Sequence, residues 1–250
     1  MTRDDAGRGA VIRQALSLSV ATGLYGISFG ALAVTAGCTL PQTMALSLLM
    51  FSGSAQFAFV GVVGAGGLPV TAIASAGLLG IRNALYGVQL GPQLALAGWR
   101  RVVGAHLTID ESTAVSTTQT TPELRRFGFW WAGIGVFCCW NALTLCGAII
   151  GNAIGDPRSW GLDAAAAGAF LGLLWPRLAS RPAQACAALA AVIAACLVPF
   201  APAGVPVLGA ACAAIVVGLW SQRRPASDTG GPPAVPPEGA ITLPEVGGRP

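Results

Sequence analysis

Phe51-Ser52-Gly53-Ser54-Ala55-Gln56-Phe57 lies inside an apolar run that extends from Met44 to Val63 without a charge. About 20 helical residues cross a bilayer core of roughly 30 Å, and this run has that length. Two serines and a glutamine at mid-depth in lipid need partners in protein, water or a bound solute. The stretch is therefore either helix-packing glue or part of a solute path.

The rest of the chain supports the membrane setting. Of 250 residues, 54% are hydrophobic and only 10% are charged, whereas a soluble domain carries about a quarter charged residues. The composition calls for several spans rather than one. All fourteen basic residues are arginine, and the net charge of +4 is scattered. With no basic stripe or aromatic platform, nucleic-acid binding is excluded. The seven cysteines sit mostly in apolar runs without a CxxC pair, so no metal, cofactor or disulfide framework is expected. The N-terminal residues 1–14, with Arg3, Arg8 and Arg13, read as the cytoplasmic flank of a first span rather than a cleavable signal.

These features predict an all-α polytopic membrane protein of six to eight transmembrane helices, some of them broken. A first span is expected over 15–36, with Gly23, Gly26 and Gly30 on one close-packing face. Leu40-Pro41 turns the chain into a single span over 42–64. The apolar run 70–97 is interrupted at Gly80-Ile81-Arg82-Asn83 and at Gly91-Pro92. An arginine there costs roughly 2.5–3.5 kcal/mol unless it faces protein or water. Either the span breaks near Arg82, as solute sites of transporters do, or Arg82 snorkels to an interface. The polar segment 98–126 contains a partly amphipathic stretch over 107–115 that lies on the membrane or dips into it. Further spans are expected over 127–150, 162–178, 183–200 and 205–220. Residues 223–250, rich in proline and glycine, form a tail that cannot bury a core. Arginines near span ends favour a cytoplasmic N-terminus and an even number of crossings, but Arg100 and Arg101 leave the number open.

Two stretches, Gly26 to Phe57 and Gly147 to Pro176, share a glycine-rich helix, a turn and a leucine-opened helix. Their offset is roughly 120 residues, near half of the membrane portion, and duplicated halves are common in secondary transporters. On this reading the repeats are 15–97 and 127–222, joined by 98–126. The polar groups of Ser52 to Gln56 have no counterpart in the second copy, where Trp175, Pro176 and Arg177 stand.

Gly26-Ile27-Ser28-Phe29-Gly30-Ala31-Leu32-Ala33, Phe51 to Phe57, Ile81-Arg82-Asn83-Ala84-Leu85-Tyr86-Gly87 and Leu107-Thr108-Ile109-Asp110-Glu111-Ser112 follow one another as in the AzlC family. Trp140, Gly147 and Gly151 continue the pattern, and residues 15–222 resemble the family. Its pattern has Asn and His around the arginine, where this chain has Gly80 and Asn83, and Thr before the acidic pair, where this chain has Ile109. AzlC proteins are the large subunits of branched-chain amino acid exporters. The resemblance implies export of valine-, leucine- or isoleucine-type amino acids, with methionine a further candidate, across the inner membrane. It also implies a small AzlD-like membrane subunit as partner.

An amino acid zwitterion needs donors for its carboxylate, acceptors for its ammonium and an apolar pocket. Arg82 can bind a carboxylate as a fork, and Ser52, Ser54 and Gln56 can donate and accept. In a continuous helix Ser52 and Gln56 share a face while Ser54 points elsewhere. Asn83 and Tyr86, beside Arg82, complete the substrate-binding candidates. Asp110 or Glu111 can receive the ammonium or carry a proton, or can simply cap a helix. No ATP-binding loop is present, so an ion gradient, a partner or the solute gradient must drive transport, and proton coupling is expected. A buried serine nucleophile at Ser54 needs a base in reach, and His106, the only histidine, lies in the arginine-flanked polar segment. The chain is therefore not expected to be an enzyme; a non-transporting scaffold or regulatory subunit is the other alternative.

Overall fold

Gly23, Gly26 and Gly30 do form one face of the first helix, and that face decides how the bundle is built. The computed structural model describes residues 3–154, 171 and 174–222. The first helix, α1 (Arg3–Thr35), packs most extensively on α7 (Pro122–Ile154). A Cβ at Gly23 would lie 2.8 Å from Cys139 Cβ, and one at Gly26 would lie 2.8 Å from the Trp140 carbonyl oxygen. Gly30 meets the Thr144 carbonyl, and Gly147 meets the Ile27 backbone in return. Only residues without side chains let two helix backbones approach this closely. Gly7 lies beside Leu124, Val11 beside Gly128, Gly23 beside Cys139 and Ala31 beside Gly151. The two long helices are therefore parallel, and the intervening chain must leave and return.

It does so through two helical hairpins and one long helix. Thr39 caps α2 (Leu40–Leu49), reciprocated by Gln42, and Pro41 stands in the first turn as expected. The single span expected over 42–64 is instead broken at 50–52, and α3 (Gly53–Gly64) turns back. A Cβ at Gly64 would lie 3.0 Å from Ala36, at the end of α1 where α2 also begins. The tip residue Gly53 lies against the Trp140 ring, level with Gly26. At 1.5 Å per residue each arm is about 15–18 Å long, half of a bilayer core.

The interruption expected at Arg82 is absent. α4 (Pro69–Leu94) runs unbroken through it and kinks no earlier than Pro92. Ala95 in the left-handed region and Gly98 at φ 55° then reverse the chain; such a φ suits a residue with no Cβ. The segment 98–126 is no linker, and the helix expected over 107–115 is a second hairpin. Its arms are α5 (Trp99–His106) and α6 (Asp110–Thr117), with Leu107–Ile109 as the tip. Gly104 lies near Phe129, Leu107 beside Gly133, and Val115 beside Gly128. This hairpin therefore enters from the N-terminal ends of α1 and α7, opposite to the first. Long helix plus hairpin thus occurs twice in reversed direction, as α1–α2–α3 and α4–α5–α6.

After a 3-10 turn at Trp175–Ala179, α8 (Arg181–Leu197) and α9 (Val205–Gln222) pack on each other. Their turn meets the α3–α4 turn, where Thr71 Oγ1 donates to the Ala203 carbonyl at 3.2 Å. The repeat proposed for Gly147 to Pro176, the span over 162–178 and the tail 223–250 lie wholly or mainly outside the described residues.

Burial is arranged for lipid rather than water. Leu16, Val20 and Leu24 stand exposed one turn apart on α1, as do Ile81 and Leu85 on α4, while Ser19, Ser47, Gln56 and Thr144 are buried. Broad exposed apolar faces of this kind mark a membrane surface. Gly7–Thr35 and Pro122–Ala153 are each long and apolar enough to cross one. Arg8, Arg13, Arg100, Arg101, Arg125 and Arg126 all fall at the end where α1 and α7 begin. There Arg8 lies 5.7 Å over the Phe127 ring, and Arg125 Nε donates to the Gln119 carbonyl at 2.9 Å. Arg82 stands apart, at the centre.

Candidate functional site

The two hairpin tips meet beside the middle of α7. Phe51 from the first tip lies 5.1 Å from the Phe137 ring and 5.8 Å from His106 at the second. A break in lipid exposes backbone groups that a continuous helix would satisfy. Gln56 resolves half of that problem. Fully buried, its Nε2 donates to the Met50, Leu46 and Ser47 carbonyls at 3.1, 3.2 and 3.3 Å. It closes the C-terminal end of α2 from within α3. Gln56, expected among the solute-binding residues, is thus turned toward α2 and does not line the central cavity.

The other half stays open. No side chain caps α3, and its first intrahelical bond is Gln56 N to the Ser52 carbonyl. The N–H groups of Gly53, Ser54 and Ala55 are thus left at the positive end of a helix dipole, a natural anion site. Ser52 is extended, not helical, so the face it was expected to share with Gln56 does not exist. Ser54, expected to point elsewhere, is the serine that faces Arg82: Nη2 donates to Ser54 Oγ at 3.0 Å. From the same guanidinium, Nη1 lies 3.0 Å from Asp110 Oδ2 at the second tip. One arginine on an unbroken helix thus joins both breaks. Glu111 lies beside Asp110 and accepts from Thr22 Oγ1 of α1 at 3.3 Å.

These groups surround a cavity of about 300 Å³, at the small end for ligand sites. Ser52, Ser54, Arg82, Asn83, Asp110 and Glu111 line it, and Phe51, Leu79, Val136 and Trp140 supply apolar wall. Tyr86 lies a turn further along α4 and is not part of the lining. Ser52 Oγ, Arg82 Nε, Asn83 Oδ1 and Trp140 Nε1 are buried without a hydrogen-bond partner among the described residues. Each such group costs about 1–3 kcal/mol unless something satisfies it. All four belong to residues that line this cavity.

Sequence reasoning did not find Thr22, Tyr25, Leu79 or Val136, which also line the cavity. Nothing in their spacing marks them, because they reach the site only through packing. Trp140 stood in the motif pattern but without a role. Ser54 has arginine as its hydrogen-bond partner rather than a base, and His106 packs on Phe51 and Phe137. Among the described residues no cluster of His, Cys, Asp and Glu could hold a metal ion.

No curated protein and no solved structure matches the chain. The family model described as AzlC protein matches residues 17–154, which take in both hairpins and every residue of the site described above. That is more than half of the sequence, and the chain belongs to the AzlC family.

Proposed function

We propose that this membrane protein exports neutral branched-chain amino acids, binding them as zwitterions between the two hairpin tips. Membership of a family associated with branched-chain amino acid transport supports the class of solute. The observation that carries the reading is the division of charge across the cavity. The uncapped N-terminus of α3, with Ser52, Ser54 and Arg82, offers donors to a carboxylate. On the other side of the Arg82 guanidinium, the first turn of α6 places the carboxylates Asp110 and Glu111 for an ammonium group. Phe51, Leu79, Val136 and Trp140 leave an apolar space for a branched side chain.

The remaining parts follow from that core. The arginine-rich end faces the cytoplasm by the positive-inside rule, in the inner membrane, with α1, α4, α7, α8 and α9 as the crossings among the described residues. On this orientation Arg100 and Arg101 are cytoplasmic with the N-terminus. Asp110 is occupied by Arg82, so Glu111, held by one long hydrogen bond from Thr22, carries the coupled proton. A small AzlD-like subunit completes the transporter, and the exposed apolar face of α4 gives it room. The protein performs no chemical step on its solute.

Proteoliposomes loaded with leucine test this reading. Efflux by the full chain should accelerate when an inward proton gradient is imposed, and Glu111→Gln should remove the acceleration and also weaken leucine binding, because the same carboxylate faces the ammonium group. Efflux that ignores the gradient would sink the coupling; no efflux with or without the small subunit would favour a scaffold.

A further inference from the structure

A second, larger cavity lies between the C-terminal half of α4 and α5, at the arginine-rich side of the first. Its volume is about 740 Å³; its apolar wall includes Gly87, Leu90, Leu94 and Leu96, and Asn83, Arg101 and Thr108 are its polar groups. Two features tie it to the central site. Asn83 lines both cavities. The tip of the second hairpin is the partition, since Thr108 faces the larger cavity while Ile109 and Asp110 face the central one.

That partition is a single turn whose Leu107 and Ile109 are buried against the core. Leu107–Ile109 is non-helical. Its own fastenings are local: Thr108 Oγ1 donates to the Gly104 carbonyl at 2.7 Å, and Ser112 Oγ donates to the Leu107 carbonyl at 2.7 Å. Across to α4 the bond shown is the Arg82–Asp110 ion pair. A pair of about one-third and one-fifth exposed groups is within reach of a solute carboxylate, and a carboxylate on Arg82 competes with Asp110 for the same guanidinium.

We infer that the α4–α5 cavity is the vestibule through which an amino acid reaches the central site from the arginine-rich end. The second hairpin is its gate, and the Arg82–Asp110 pair is the latch that the solute's carboxylate displaces. Displacement ties opening to the presence of solute, because a ligand shifts such an equilibrium only through different contacts in its two states. Arg101 at the vestibule wall attracts the carboxylate. The inference rests on the proposed amino acid site but makes a separate claim about the hairpin.

Thr108→Cys reports on the gate, in the full chain reconstituted in liposomes with its seven native cysteines replaced by alanine. Thr108 is only 5% exposed, so a membrane-impermeant maleimide supplied on both faces should modify it slowly. Saturating leucine should raise the rate about fivefold or more, the lower range of coupling between sites. Adding Asp110→Asn should give the fast rate without leucine. Radiolabelled leucine binding is measured on the same sample. Bound leucine with an unchanged rate overturns the gate, as does an Asp110→Asn rate equal to the parent's. Failure of leucine to bind overturns the solute reading instead, and the Asp110→Asn arm then still decides the hairpin. If Thr108→Cys does not fold, Ile109→Cys at the same tip, 6% exposed, reads the same opening.

Discussion

Arg82→Lys keeps the positive charge at the centre and removes only the fork. In the native chain Nη2 serves Ser54 at the first hairpin tip and Nη1 serves Asp110 at the second, each at 3.0 Å. A lysine ammonium is a point charge on a flexible stem and cannot hold both directions at once. The ion pair with Asp110 survives, so the fold should too. A carboxylate bound by the fork loses one charge-assisted hydrogen bond, which contributes about 1.5–3 kcal/mol. Since 1.4 kcal/mol is tenfold in affinity, leucine binding should weaken about ten- to a hundredfold. Equilibrium binding of radiolabelled leucine to the purified variant measures this, with helix content and thermal unfolding as controls. A folded Arg82→Lys protein that binds leucine within twofold of the parent would refute the role of the fork.

Three further substitutions separate scaffold from site. Gln56→Ala strips the amide from the Ser47 and Met50 carbonyls, while the Leu46 carbonyl keeps the Met50 N–H, and should cost about 2–4 kcal/mol of stability, from two unsatisfied groups at 1–3 kcal/mol each; thermal unfolding in detergent checks it, and the residual folded protein should bind leucine normally. Gly30→Ala drives a methyl group into the Thr144 carbonyl, so folded yield should collapse, whereas Gly77→Ala, with open space around it, should express like the parent. Leu79→Phe narrows the apolar wall and should shift preference from leucine toward valine or alanine, since one methylene is worth about 1–3 kcal/mol in such a pocket; competition binding with the three amino acids reads the ratio.

Helix content and the glycine face of α1 were legible because they depend on local composition and spacing. The position of the break was not. Glycines and an arginine at 80–83 look like a weak point, yet α4 stays helical because Arg82 finds its partners sideways, on two other elements. The actual break, at 50–52, is tolerated because Gln56 caps α2 from six to ten residues away. No periodicity reports such a long-range cap. Asp110 and Glu111 fell correctly beside a helix start, but their opposite hairpin direction follows from contacts with α7 that sequence spacing does not encode. Six of the eight residues singled out do line the cavity; Gln56 and Tyr86 do not. The error at Gln56 has a physical source: treating 42–64 as one helix put it on the face of Ser52.

The central claim is that one small cavity reads both charges of an amino acid, the carboxylate at the α3 end and Arg82, the ammonium at Asp110 and Glu111. Binding of leucine to the purified protein, set beside leucinamide, which lacks the carboxylate, and 4-methylpentanoate, which lacks the ammonium, tests that most directly. Leucine alone should bind well, and each analogue should be weaker by about tenfold or more, the cost of leaving a charged partner unanswered. Equal binding of either analogue would mean that the cavity reads only one end of the molecule, and the zwitterion site would be wrong.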